Sequence, residues 1–107
     1  MDHVGVMNNA KWEEMRLAMY GLGELHPKWR TRDLGTGFVS PWDGDWFYHF
    51  RSSGYSTIEW LEIKISDDAQ RSAVVEALRA IHVPGEDQGD VLRIYGHVPS
   101  GTAVEYL

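Results

Sequence analysis

Two clusters in the chain carry residue types that can do chemistry. The first is Asp43-Gly44-Asp45, followed by His49. Paired carboxylates can bind calcium or share acid–base work. A calcium loop, however, needs oxygen ligands at more positions and a distal Glu, and Asp and Gly are ordinary turn residues. His49 near a carboxylate can act as a general base. The same residues on a sheet surface can instead form cross-strand pairs that stabilise without chemistry. The second cluster is Trp29-Arg30-Thr31-Arg32. Arginine grips phosphate, carboxylate or an acidic protein surface, and Trp and Arg dominate interface hot spots. The competing reading is an edge strand kept soluble by Arg30 and Arg32 while Trp29 packs inward. Trp42, in the loop SPWDGDW, is hard to place in a core. The candidates for meeting a partner are therefore Trp29, Arg30, Arg32, Trp42, His49, Arg51 and Glu59.

Several chemistries find no support. His3, His26, His82 and His97 lack the spacing of a metal site, so neither metal nor cofactor is expected. GLGELH reads as a helix stop, not a dinucleotide fingerprint, and no serine sits in a G-x-S-x-G turn. The absence of cysteine removes disulfides, thiolate zinc sites and thiol nucleophiles. The net charge of −6 argues against nucleic-acid binding, which rests on neutralising phosphates, although Lys28, Arg30 and Arg32 form a local basic patch. No apolar run approaches the roughly 20 residues that span a bilayer, and no secretory leader opens the chain. These features fit a cytoplasmic protein.

The elements that must position these residues follow from periodicity. A chain of 107 residues is expected to form one domain, with residues 1–8 a flexible lead and 9–107 folded. Trp12, Met15, Met19 and Leu22 make an apolar stripe at helical spacing, predicting a helix from Asn9 to about Tyr20. Asn8 or Asn9 caps it, Glu13, Glu14 and Arg16 fall off the stripe, and Gly21 and Gly23 end it. Trp29–Asp33 alternates as a short strand. Trp46–Arg51 and Tyr55–Ile65 read as a hairpin joined by Ser52-Ser53-Gly54. That register puts Trp46, Tyr48, Phe50, Ile58 and Trp60 on a core face and Phe47, His49, Arg51, Tyr55 and Glu59 on a polar one. A one-residue slip would align Trp46, Tyr48 and Phe50 with Leu61, Ile63 and Ile65 instead. Asp67 with Gln70 is a capping-box pattern that opens a second helix, buried along Val74, Ala77, Leu78 and Ile81 and ended by Pro84-Gly85. Val91–Val98 is a strand with Leu92 and Ile94 inward, and Ala103–Leu107 a short edge strand. The expected fold is α+β: a two-layer sandwich with two helices on one face of a mainly antiparallel sheet of four to five strands.

MNNAKW, KWRTRDL, FVSPWDGDWFYHFRSSGYSTIEWLEI, AIHVPG and GTAVEYL together resemble an uncharacterised family of small bacterial single-domain proteins. Its members share a WRT…SPWDG-WFYHFR…IEW…HVPG…G skeleton. The resemblance runs from Met7 onward. It implies a shared fold and a bacterial origin, and it carries no activity or catalytic residue. The six residues before Met7 stand outside the pattern, which points to Met7 as a start. In size and acidity the chain is similar to immunity proteins of toxin systems. The expected function is a non-enzymatic protein-binding domain, such as an inhibitor or immunity protein of a toxin, or a self-associating protein. The alternative is a small-molecule-binding domain or enzyme using a polar sheet face around His49.

Overall fold

A computed structural model describes residues 2–52 and 54–107; Ser53, in the expected hairpin loop, lies outside them. In chain order the elements are β1 (His3–Gly5), α1 (Asn9–Tyr20), a 3₁₀ turn (Gly23–Leu25), β2 (Lys28–Asp33), β3 (Ile58–Lys64), α2 (Asp68–Ile81), β4 (Gly85–Asp87), β5 (Val91–Tyr95) and β6 (His97–Pro99). An antiparallel sheet runs in the order β2-β3-β5-β4, and β1 pairs with β6 in a separate two-stranded sheet. The fold is α+β, with two helices and a mainly antiparallel sheet. The expected lead at residues 1–8 thus carries a short strand.

Both helices begin at their sequence caps. The Asn8 side chain accepts the Lys11 amide at 2.8 Å, satisfying a donor that the first turn leaves without a partner. At α2, Asp67 accepts the Gln70 amide and Gln70 Oε1 accepts the Ser66 amide, each at 2.8 Å. Trp12, Met15 and Met19 of α1 and Val74 and Leu78 of α2 are buried. α1 ends as expected, at Gly21, with Gly23 in the left-handed conformation just beyond it; α2 differs from expectation and closes at His82, with φ 65°, before Pro84 is reached.

Arg16 was expected off the apolar stripe, yet it is 5% exposed. It pairs with Glu13 at 2.9 Å and donates through Nη1 to the carbonyls of Trp46 at 3.4 Å and Phe47 at 3.0 Å. Tyr55 donates its hydroxyl to Glu13 at 3.2 Å. This pair fastens the aromatic segment to α1, and its hydrogen bonds offset the cost of burying the charge.

The sheet pairs Trp29 with Ile63, Thr31 with Leu61, Leu61 with Ile94 and Ile63 with Leu92. Side chains alternate across a strand, so Trp29, Leu61, Ile63, Leu92 and Ile94 share one face and form the core with both helices. Strand 91–98 is interrupted at Gly96. There the backbone crosses β3 so closely that a Cβ would overlap the Ile58 carbonyl. The C-terminal edge strand reduces to an isolated bridge between Pro84 and Tyr106.

The hairpin predicted over Trp46–Ile65 does not form, in either register. Residues 46–52 make a series of turns, and β3 pairs with β2 and β5 instead. The cause is local. Asp45 Oδ1 accepts the amides of Phe47 at 2.8 Å and Tyr48 at 2.9 Å, as a helix cap does, and coils the chain after it. Trp46 and Phe50, four residues apart, then fall on the same side of the turn, and both are buried. Tyr48, assigned to the core by the hairpin reading, is 64% exposed. Tyr55, assigned to the polar face, packs against Trp12 and Phe50.

Candidate functional site

The sheet face opposite the helices carries a row of side chains built from five separate segments. Residues 38–43 run antiparallel along the outer edge of β2. The amides of Trp29 and Asp43 each donate to the other's carbonyl, at 2.8 and 2.9 Å, and Ser40 donates to the Thr31 carbonyl at 2.9 Å. This covers an edge that would otherwise offer free backbone groups. Asp43 opposes Trp29 on the core side, so its neighbour Trp42 turns to the other face, beside Arg30. Across the sheet the register continues from Arg30 to Glu62, from Glu62 to Arg93, and from Arg93 to Glu86.

Glu62 is the centre of this row. Its side chain is 4% exposed, while those of Arg30 and Arg93 are 35% and 29% exposed. Arg30 reaches Oε1 through Nε and Nη2, both at 2.8 Å. Arg93 reaches Oε2 through Nη2 at 2.6 Å and Nε at 3.1 Å. One carboxylate therefore holds two guanidinium groups, one on each oxygen, through charge-assisted hydrogen bonds, which are stronger than neutral ones. The Arg30 guanidinium lies 4.4 Å from the centre of the Trp42 ring, and that of Arg93 lies 4.4 Å from the centre of the Trp60 ring. These distances are within cation–π range. At the end of the row Tyr95 donates its hydroxyl to Glu86 at 2.7 Å, and this bond holds the Glu86 carboxyl below the ordinary range.

The His49 cluster has a different form. Asp43 Oδ2 lies 2.8 Å from His49 Nδ1, and Asp45 Oδ2 lies 3.7 Å from Nε2. Asp43, by hydrogen bond and charge, and then Asp45, by charge, raise the imidazole above its ordinary value. His49 is largely exposed, at 62% for its side chain. It also borders a cleft of about 270 Å³ with Thr31, Arg32, Phe50 and Thr57, below the roughly 300–1,000 Å³ usual for ligand pockets. Both ring nitrogens face carboxylates of the same loop, so the cluster acts as a staple across residues 43–49. A raised histidine contributes stability that is complete below its unfolded value near 6.5 and is lost as pH rises through its folded value. The thermal midpoint of the native chain should accordingly fall more steeply from pH 6 to 8 than that of His49→Gln. Parallel pH profiles of the two proteins would show the staple to be without effect.

The structure separates the sequence candidates. Arg30 and Trp42 lie together on the open face. Trp29 is 6% exposed and belongs to the core, with its indole donating to the Asp45 carbonyl at 3.0 Å. Arg32 is bound to Glu59 at 3.1 Å and to the Gly37 carbonyl at 3.1 Å. Arg51 lies over Phe47, at 5.6 Å from the ring centre. His49, Arg51 and Glu59 thus have separate partners and make no common polar face. Sequence reasoning missed Glu62 and Arg93, and it assigned to the core Trp60, which lies instead on the open face against Arg93. Glu62 and Arg93 each stand between two apolar neighbours, in LEI and LRI, and that shared pattern was the available signal. No group of three or more His, Cys, Asp or Glu side chains among the described residues is placed to hold a metal ion. No helix among them is long and apolar enough to cross a membrane.

A family model described as a family of unknown function, DUF6678, matches residues 1–101. The match includes the six residues before Met7, which the sequence resemblance left outside the pattern. Neither a curated protein nor a solved structure matches the chain.

Proposed function

Because the chain belongs to DUF6678, a family of unknown function, we propose its role from its own geometry: it is a non-enzymatic protein-binding domain that docks through the open face of its sheet. The observation that carries this reading is the row Trp42–Arg30–Glu62–Arg93. It presents Trp and Arg, the residues most enriched in interface hot spots, already ordered by mutual contacts. Ordering side chains before association lowers the cost of binding. Within this reading, the finer proposal is an inhibitor or immunity partner of a bacterial toxin acting in the cytoplasm. Small size, acidity and the lack of cysteine support it.

The test is site-directed photocrosslinking in the source cell. A photoreactive phenylalanine analogue at Tyr95, on the open face, should give one discrete protein adduct. The same analogue at Glu76, on the exposed side of α2, should give none. Absence of an adduct at Tyr95, or the same adduct from both positions, would overturn the proposal.

A further inference from the structure

We infer that the partner presents a short acidic segment to one corner of this face, made by Lys28, Lys64, Arg30 and Trp42. The inference rests on the reading of the open sheet face as a protein-docking surface. Lys28 and Lys64 are directly opposed in the β2–β3 register, and both are exposed. Neither has a carboxylate within ion-pair reach among the described residues. Like charges directly opposite one another destabilise a sheet, so the pair is a cost to the free fold that an anionic partner would reverse.

In the adjacent row Glu86 opposes Arg93 at the far end, and among the described residues no second carboxylate stands at the Arg30 end. Arg30 and Arg93 share the one Glu62 carboxylate, and both of its oxygens are occupied by their Nε and Nη2 groups. Trp42 joins the two rows, with the Arg30 guanidinium 4.4 Å and Lys64 Nζ 5.6 Å from its ring centre. The corner is thus a concentration of positive charge on a chain whose net charge is −6. Opposite charge steers encounter and fixes register between partners.

An acidic polypeptide fits better than a nucleic acid. Single-stranded binders stack bases on open aromatic rings along an extended basic groove. Here Trp42 already lies against Arg30 and Lys64, and Trp60 against Arg93. A phosphate backbone must also run beyond the corner onto an acidic molecule, whereas a few spaced carboxylates need the corner alone.

The experiment titrates the isotopically labelled full chain with a capped hexaglutamate peptide, followed by amide and indole chemical shifts. A neutral Gly-Ser hexapeptide and a ten-nucleotide oligothymidine are run in parallel. Hexaglutamate should shift Lys28, Arg30, Lys64 and the Trp42 indole, with affinity falling as salt rises. Lys28→Glu with Lys64→Glu, both at exposed positions, should weaken it at least tenfold in a chain that melts normally, and Arg79→Glu on α2 should leave it unchanged. Absent or scattered shifts, an affinity indifferent to the double substitution, or tighter binding of oligothymidine at the same residues would overturn the inference. If hexaglutamate fails while the Tyr95 crosslink persists, the acidic segment falls and the docking face stands; loss of both removes both.

Discussion

Replacing Trp46 with alanine is expected to cost about 4 kcal/mol of folding stability, in the range of large aromatic truncations in cores. Trp46 is 1% exposed. Its ring lies 5.0 Å from Phe50 and 6.0 Å from Trp29, centre to centre. Its indole donates to the Pro27 carbonyl at 2.8 Å. The substitution therefore opens a cavity and leaves a buried carbonyl without a partner, two costs that act in the same direction. A domain of this size has a total stability of roughly 5–15 kcal/mol, so the variant should be only marginally folded. The thermal midpoint should fall by about 20 °C or more. Trp46→Phe keeps most of the volume and loses the indole donor, so it should recover more than half of the loss. A drop of only a few degrees for the alanine variant would mean that residues 46–52 are an appendage and not part of the core.

Glu62→Ala should have the second largest effect, about 3 kcal/mol. Removing one member of a buried ionic cluster typically costs about 3–5 kcal/mol, because the remaining charges lose their compensation. Here Arg30 and Arg93 keep about a third of their side-chain surface in water, which places the cost at the low end. Urea unfolding measures it: the midpoint should fall with an unchanged slope, the sign of lost stability without a change in exposed surface. Glu62→Gln retains the shape and should cost less, about 1–2 kcal/mol for hydrogen bonds that lose their charge. Equal losses for Ala and Gln would show that charge is what matters. A loss under about 0.5 kcal/mol for Ala, the level of an ordinary surface substitution, would show that the row does not fasten the sheet.

The features legible in the sequence are those whose causes lie within a few residues. Asn8 with Lys11 and Asp67 with Gln70 are local hydrogen bonds, so both helix starts followed from spacing. The hairpin failed because WFYHFR satisfies two periods at once. Its alternation suits a strand, but Trp46 and Phe50 also stand four apart, and Asp45 in front of them is a cap. Reading Asp45 as a cap and not only as a turn residue would have decided the case. The candidate site divides the same way. Arg30 and Trp42 were visible as residue types that meet partners. Glu62 was not, because an acid in a strand ordinarily faces water. Its role depends on the register of three strands, which no local pattern specifies.

The row of Trp42, Arg30, Glu62 and Arg93 is also a mark of the folded state. Its members come from separate segments that meet only when β2, β3 and β5 are in register. No short fragment of the chain contains it, and an unfolded or nascent chain scatters its charges among unrelated neighbours. A partner that reads this face therefore also reads the folding state of the molecule. On the docking proposed above, engagement would be open to the finished domain and closed to its fragments.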